Sequence, residues 1–207
     1  MAGRKNSTFA VTKVRLGDGL QVDTRADTVA GEEPLEIRVG GQTITTTMRT
    51  PGHDIELAHG FLHSEGHITS PSDVTEARYC AGATVNGMNT YNLLDIDLAK
   101  KNVLDLSDLR LTTTTSACGV CGTSSIEALT KQTRYPIPHI PVDPYVVAKL
   151  PDKLRAEQKQ FKKTGGIHAA GAFTLDGEPV VIREDIGRHN ACLLYTSPSP
   201  RDQRGYR

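Results

Sequence analysis

The spacing of apolar residues changes along this chain of 207 residues, and the change limits the folds that it can adopt. In the first 50 residues, apolar side chains fall mostly at alternate positions, which is typical of β-strands. After Pro51 they recur at every third or fourth position, as they do on one face of an α-helix. Both patterns return later in the chain. We therefore predict an α/β (α+β) fold in which a mixed sheet is flanked by helices.

Two β-hairpins are predicted at the N-terminal end. A Gly-Asp-Gly turn at residues 17–19 divides the first alternating stretch, and Gly40-Gly41 divides the second. In the second hairpin, alternate apolar residues share one strand face, and these are Leu35, Ile37 and Val39. We assign residues 8–50 to an N-terminal β-hairpin region.

A longer domain is predicted over residues 51–191. Its first helix is expected to begin at Pro51, which suits the first turn of a helix, and to end at Gly66. Alternation returns at residues 91–98, where a strand is predicted. The inward-facing stripe of the helix is predicted to be Ile55, Ala58 and Leu62.

The second half of this domain carries further start and stop signals. Asp143 and Pro144 are typical of an N-cap and first helical position, and Pro151 indicates a second helix start. Gly165-Gly166 is expected to end that helix. The segments "IHAAGAFTL" and "VVIRED" then predict a hairpin, and "IGRHNA" predicts the start of another helix.

The charge balance excludes some classes of protein. The chain has 24 basic and 24 acidic side chains, so it lacks the positive excess typical of a nucleic-acid-binding protein. No apolar run approaches the roughly 18 residues of a membrane-spanning helix. The N-terminal residues lack the apolar core of a secretory signal. We expect a cytoplasmic protein without a membrane or nucleic-acid partner.

The last sixteen residues, "CLLYTSPSPRDQRGYR", differ in character from the rest. They show no helical or strand period and are rich in Ser, Pro and Arg. The segment resembles the in-frame translation of a sequencing adapter, and such scars are excluded from reasoning about the fold. We therefore expect residues 192–207 to be a non-native tail and the preceding domain to be incomplete at its C-terminus.

Two cysteines three positions apart, Cys118 and Cys121, form a Cys-x-x-Cys motif. A Thr-rich strand is predicted over residues 111–117, and a helix is predicted from Gly119 onward. A helix N-terminus lowers the pKa of a thiol, and the flanking glycines would leave the sulfur accessible to a large partner. The motif therefore favours a nucleophilic sulfur. Cys80 is predicted to be a packed thiol.

Two other uses of the motif remain open. A zinc site needs about three or four ligands, and no second Cys-x-x-Cys exists. Zinc deaminases carry His-x-Glu before Pro-Cys-x-x-Cys. Here His63 and Glu65 provide the first part, but Ala117 replaces the proline. A thioredoxin-type redox module also uses Cys-x-x-Cys, although its compact βαβ start is missing here.

Polar residues and glycines cluster in two later segments, "TGGIHAA" and "REDIGRHN". Gly165 and Gly166 can cap a helix or let a ligand approach the backbone. In the second segment, polar groups gather where a strand leads into a helix, a favoured ligand position in α/β sheets. The candidate binding residues are Gly165, Gly166, His168, Asp185, Gly187, Arg188, His189 and Asn190.

These segments, in this order, resemble the formate dehydrogenase accessory sulfurtransferase (FdhD) family. The matching pieces are "EEPLEIRV", "MRTPGHDIELAHGFLHSEG", "SACGVCGTSSIEAL", "TGGIHAAG" and "REDIGRHNA". The resemblance implies a cytidine deaminase-like fold without zinc chemistry. It also implies a cytoplasmic sulfur carrier in which Cys118 bears a persulfide and Cys121 accompanies it.

The resemblance further implies the partners. A cysteine desulfurase would load the persulfide, and the sulfur would pass to a molybdenum (or tungsten) bis-guanine-dinucleotide cofactor, a transient ligand held by the candidate binding residues. Formate dehydrogenase would then receive the cofactor, and the carrier could form a homodimer. The family continues beyond "GRHNA" with a further stretch associated with cofactor binding. The alternative function is a chaperone that binds this cofactor without transferring sulfur.

Overall fold

The computed structural model describes residues 5–17, 19–80, 84–85, 88–89, 91–99, 112–113 and 139–196. The strands of this part are β1 (Asn6–Leu16), β2 (Leu20–Ala30), β3 (Glu33–Val39), β4 (Gln42–Arg49), β5 (Val74–Tyr79), β6 (Thr84–Val85), β7 (Met88–Asn89), β8 (Leu93–Leu98), β9 (Thr112–Thr113), β10 (His168–Phe173) and β11 (Pro179–Asp185). The helices are α1 (Asp54–Ser64), α2 (Pro144–Glu157), α3 (Lys159–Thr164) and α4 (Arg188–Thr196), with a 3-10 turn at Pro71–Asp73.

A five-stranded sheet of order β5-β8-β3-β4-β9 forms the centre. Strand β3 is antiparallel to β4 and parallel to β8, and β4 is parallel to β9. The hairpins β1–β2 and β10–β11 form separate two-stranded sheets, as does the short pair β6–β7. The predicted mixed sheet with flanking helices is therefore confirmed, and so are the two N-terminal hairpins and the hairpin near the C-terminus.

The main core lies between the central sheet and helices α1 and α4. Leu35 and Ile37 of β3 are completely buried and Val39 packs against them, which confirms the predicted strand face. From the other elements, the buried apolar residues are Ile44, Leu57, Ala58, Leu62, Ile68, Leu94, Ile96, Leu193 and Leu194.

None of the described helices is long and apolar enough to cross a membrane.

Helix α1 begins three residues later than predicted, at Asp54 instead of Pro51. Gly52 has a φ of +120°, which is outside the helical region, so Pro51 and Gly52 form a turn before the helix. The backbone N–H of Gly52 donates to a carboxylate oxygen of Asp54 at 3.3 Å. Pro51 therefore belongs to the turn that precedes the helix and not to its first position, as the sequence had indicated.

Pro151 does not start a new helix, and this prediction is wrong. Helix α2 continues through it from Pro144 to Glu157, and the break comes at Gln158, whose ψ of 85° is not helical. The predicted N-cap is confirmed, since Asp143 accepts from the N–H of Tyr145 at 2.9 Å. Gly165, with φ of +66°, ends α3 as predicted.

Helix α4 extends beyond the point where the tail was expected to lose regular structure. It continues from Arg188 through Cys192 to Thr196, so the absence of a helical period was a wrong prediction over these residues. Leu193 and Leu194 are buried in the main core. A Cβ atom at Gly60 would lie 1.9 Å from the carbonyl oxygen of Leu193, so glycine there permits the close contact between α1 and α4. The origin of residues 192–207 stays a prediction.

The guanidinium of Arg49 is completely buried at the end of β4. It donates to both carboxylate oxygens of Asp54, each at 3.0 Å. It also donates to the carbonyl oxygen of Glu33 at 3.3 Å and to the side-chain oxygen of Asn92 at 3.3 Å. The phenol of Tyr79 donates to Asp54 at 3.0 Å. The bidentate Arg49–Asp54 pair connects the end of β4 to the first turn of α1. The other hydrogen bonds connect this pair to the neighbouring strands.

Replacing Arg49 by Met should lower the free energy of unfolding by about 3–5 kcal/mol, because the Asp54 carboxylate would stay buried without its cation. Urea unfolding followed by circular dichroism measures the free energy of unfolding of each variant. The matched control is Arg15→Met. Arg15 pairs with Asp23 at 3.5 Å while about half exposed, so its loss should cost less than about 1 kcal/mol. Equal losses in both variants would contradict a central role for Arg49.

Candidate functional site

A buried carboxylate, that of Asp185, lies where β11 leads into α4. One of its oxygens accepts from the backbone N–H of Thr50 at 2.9 Å. The other accepts from the backbone N–H of Gly187 at 2.8 Å and from the amide of Asn190 at 3.1 Å. Asp185 therefore joins the C-terminal hairpin to the end of β4, which is 135 residues earlier in the chain.

Asn190 and Thr50 strengthen the same junction. The amide of Asn190 also donates to the carbonyl oxygen of Met48 at 2.7 Å, and its oxygen lies 3.4 Å from the hydroxyl of Thr47. The hydroxyl of Thr50 accepts from the backbone N–H of Ile186 at 3.1 Å. These contacts hold the 186–189 turn, which runs into the first two residues of α4, against the end of β4.

Burial raises the pKa of Asp185 to about 6. The hydrogen bonds from Gly187, Thr50 and Asn190 and the positive charge of Arg49 act in the opposite direction, because they stabilise the carboxylate. Removal from water outweighs them. Asp185 therefore changes its protonation state near the lower end of the physiological pH range.

The predicted binding residues divide into two groups. Asp185 and Asn190 are buried, and their polar atoms face other residues of the chain. The others are at least partly accessible: Gly165, Gly166, His168 and Arg188 are exposed, and Gly187 and His189 are half-buried. The accessible group is the one that can contact a ligand from outside.

Strand pairing brings two of the predicted segments together. In the β10–β11 hairpin, His168 is directly opposite Asp185, so "GGIHAA" and "EDIGRHN" meet at one end of the hairpin. Gly165 and Gly166 precede this end, where Gly165 caps α3. A cavity beside the junction measures only about 20 Å³, roughly the space of one water molecule. A larger ligand would have to approach the 186–189 turn from its accessible side.

Cys118 and Cys121 lie outside the described residues, as does the helix predicted from Gly119. The described part of the predicted Thr-rich strand is β9, which pairs with β4 through Thr45 with Thr112 and Thr46 with Thr113. Of the other cysteines, Cys80 is half-buried and Cys192 is exposed. No group of three or more metal-binding side chains is arranged to hold a metal within the described ranges.

Glu184 has a structural contact that the sequence did not indicate. Its carboxylate accepts from the backbone N–H groups of Gln160 and Phe161, both at 2.8 Å. These N–H groups belong to the first turn of α3, so Glu184 fixes that helix to β11. Its place in a polar cluster of the sequence thus reflects a helix-end contact.

The sequence also did not indicate an ion pair that joins α1 to β11, because its partners are 127 residues apart. Arg183 donates to the carboxylate of Glu56 at 2.7 Å, and His53 lies 3.3 Å from the same oxygen. Burial alone would raise the pKa of Glu56, but the contact with His53 and the hydrogen bond from Arg183 outweigh it and lower the pKa to about 2. Glu56 is therefore ionised at neutral pH.

His59 is a buried histidine in α1 that the sequence analysis did not single out. Its Nδ1 atom lies 2.8 Å from the carbonyl oxygen of Ile55. Burial lowers the pKa of His59, and the contact with Ile55 only partly offsets this. The residue is therefore neutral and packed at neutral pH. His63 and Glu65, which match the first part of a zinc-deaminase motif, lie at the C-terminal end of the same helix.

The model of the FdhD/NarQ family matches residues 30–192. Proteins named "Sulfur carrier protein FdhD" are similar to this chain. That of Corynebacterium efficiens is 58% identical over 82% of this chain and 63% of its own length. That of Nocardia farcinica is 53% identical over 92% of this chain and 67% of its own length. The chain thus spans about two thirds of the length of these relatives.

One solved structure has a similar fold. It comes from Desulfotalea psychrophila and is described as a candidate formate dehydrogenase accessory protein. It superposes on 90% of this chain and 65% of its own chain with a TM-score of 0.58, at 17% sequence identity. At this identity the similarity is one of fold.

Asp185→Asn should remove a pH-dependent part of the stability. The pKa of Asp185 is about 6 in the fold against an ordinary value of 3.8, so the folded protein takes up this proton first as the pH falls. This contribution is complete below about pH 3.8 and is lost as the pH rises through 6. The free energy of unfolding of the unmodified protein minus that of the variant should therefore grow by about 1–2 kcal/mol between pH 7 and pH 4.5.

Urea titrations at several pH values measure this difference. Asp176→Asn, which changes an exposed carboxylate in the turn between β10 and β11, is the control, and its difference from the unmodified protein should stay constant. A difference for Asp185→Asn that does not change with pH would contradict the raised pKa.

Proposed function

This chain belongs to the FdhD/NarQ family, and from that premise we propose that it carries sulfur as a persulfide on Cys118 during the maturation of formate dehydrogenase. The observation that carries the proposal is the extent of the family match. Residues 30–192 contain the Cys-x-x-Cys motif and the 186–189 turn with its contacts. The relatives over this region bear the name sulfur carrier protein.

Loading would be a thiol exchange. The Cys118 thiolate attacks the outer sulfur of a persulfide on a cysteine desulfurase, a new sulfur–sulfur bond forms, and the desulfurase cysteine leaves as a thiolate. No net oxidation takes place, because the outer sulfur only changes its carrier. A thiolate at an accessible position is the reactive form for this step.

Unloading would use the second cysteine. To leave as sulfide, the outer sulfur needs two electrons. Attack of the Cys121 thiolate on the inner sulfur of Cys118 supplies them by closing a Cys118–Cys121 disulfide. The acceptor would be the molybdenum or tungsten bis-guanine-dinucleotide cofactor. Cys121 thus has the role of a resolving thiol in this proposal.

The cofactor would contact the accessible residues around the 186–189 turn. Arg188 is exposed and can pair with a phosphate through two parallel hydrogen bonds. His168, at the paired end of β10, and His189 can donate further hydrogen bonds. Asp185 and Asn190 would hold the turn in place without contacting the cofactor, because their polar atoms form hydrogen bonds with the end of β4.

Chain connectivity supports a short distance between the two parts of the proposed site. Thr113 of β9 lies beside Thr46 of β4, and β4 leads within four residues to Thr50, which contacts Asp185. Cys118 follows Thr113 by five residues, so covalent geometry limits their separation to about 17 Å. A limit of this size is compatible with sulfur transfer from Cys118 to a cofactor bound at the turn.

Several features implied by the family resemblance belong to the same proposal. These are the cytidine deaminase-like arrangement, the cytoplasmic location and the homodimer. A chaperone that binds the cofactor without moving sulfur, and a zinc or redox module, remain the alternatives. The chemistry of the two cysteines separates all three.

Incubation with a cysteine desulfurase and cysteine should add one sulfur mass to the peptide containing Cys118, as measured by peptide mass spectrometry. The added mass should disappear with reductant and in Cys118→Ala. In Cys121→Ala the persulfide should form but persist longer in the presence of an acceptor, because the resolving thiol is gone. Cys80→Ala, which changes a half-buried cysteine outside the motif, is the control and should load normally.

An unloaded Cys118 in a folded protein, beside an active desulfurase, would disprove sulfur transfer. Cofactor binding without loading would then favour the chaperone. Stoichiometric zinc in the purified protein would favour the metal module.

A further inference from the structure

Hydrogen bonds to the end of β4 hold the 186–189 turn in place. The N–H of Thr50 donates to Asp185 at 2.9 Å, the N–H of Ile186 donates to the hydroxyl of Thr50 at 3.1 Å, and the amide of Asn190 donates to the carbonyl oxygen of Met48 at 2.7 Å. Thr50 takes part in two of these bonds. Its backbone contacts Asp185, the residue before the turn, and its side chain contacts Ile186, the first residue of the turn.

The anchoring side of the turn is buried, and its other side is accessible. Thr50, Asp185 and Asn190 are 6%, 1% and 5% exposed, so water does not readily replace a lost hydrogen bond there. Arg188, in contrast, is exposed. Ligand contact and anchoring are therefore carried by different residues of one short segment.

Thr50 itself is held firmly. It follows Arg49, whose guanidinium is completely buried and bound to Asp54, and it precedes the Pro51–Gly52 turn into α1. A hydroxyl fixed in this way presents its acceptor at a set position, which fixes the N–H of Ile186 in turn. The position of the turn thus depends on a residue of another element.

We infer that Thr50 is a positioning residue for the cofactor-binding turn: its hydroxyl sets the backbone of Ile186 and thereby the direction of Arg188 and His189. This inference rests on the proposed cofactor site. Thr50 does not contact the ligand in this assignment.

Thr50→Val is the decisive variant, because it keeps the shape of the side chain and the backbone N–H to Asp185 but removes the acceptor for Ile186. Thr50→Ser restores the hydroxyl. The matched control is Thr43→Val, on β4, the strand that ends just before Thr50. The hydroxyl lost there donates to Glu36 at 2.5 Å, away from the turn. Thr50→Ala removes the same acceptor with less bulk and replaces Thr50→Val if that variant does not fold.

GDP, a fragment of the proposed cofactor, is the probe, and isothermal titration calorimetry gives its Kd. Thr50→Val should weaken GDP binding by about tenfold, the effect expected from one buried hydrogen bond. Thr50→Ser should stay within about twofold of the unmodified protein, and Thr43→Val should bind as the unmodified protein does. GDP affinity that is the same in Thr50→Val and in the unmodified protein would overturn the inference.

Hydrogen exchange measured by mass spectrometry separates this inference from the proposed function. Amides of the segment 186–190 should exchange faster in Thr50→Val than in Thr43→Val or Thr50→Ser. If the unmodified protein does not bind GDP, the proposed cofactor site fails, and exchange alone then decides whether Thr50 positions the turn. Equal exchange in all variants would overturn the positioning role in either case.

Discussion

The carboxylate of Asp185 is the contact on which the placement of the β10–β11 hairpin against the end of β4 depends. It is buried, and it accepts hydrogen bonds from Thr50 on one side and from Gly187 and Asn190 on the other. Without it, the β10–β11 hairpin and the start of α4 would lose a charged link to the central sheet. Because a buried carboxylate is costly unless its oxygens are hydrogen-bonded, the three N–H groups must stay aligned, and this requirement fixes the turn between them.

A second charged contact, Arg49 with Asp54, lies next to the first and supports it. It holds the end of β4 against the first turn of α1, so Thr50 leaves the sheet from a fixed position. Glu56 and Arg183 join the same helix to β11. The described polar contacts between α1, β4 and β11 therefore form one connected region, and the proposed binding turn lies at its accessible edge. A rigid support of this kind is what a site built on a short turn requires.

Much of the fold could be predicted from local patterns. Turn glycines located the hairpins, and alternation identified the buried face of β3 with Leu35 and Ile37. Local sequence patterns gave wrong predictions where the same residues are compatible with two structures. Pro151 can start a helix or lie within one, and the segment after Ala191 was too short to show the period that buries Leu193 and Leu194. After Ala191, packing of Leu193 and Leu194 against the main core decided the outcome.

The sequence by itself determined which chemistry this protein can offer, and it determined the family. The spacing of Cys118 and Cys121 limits the motif to thiol or metal chemistry, and the order of the motifs matches the FdhD/NarQ family over residues 30–192. Only the tertiary structure decided which polar residues of "EDIGRHN" face inward. Asp185 and Asn190 became anchors because Thr50 and Met48, more than 130 residues away, supply their partners. Local patterns carry no record of such distant pairs, because long-range hydrogen bonds depend on how the elements pack.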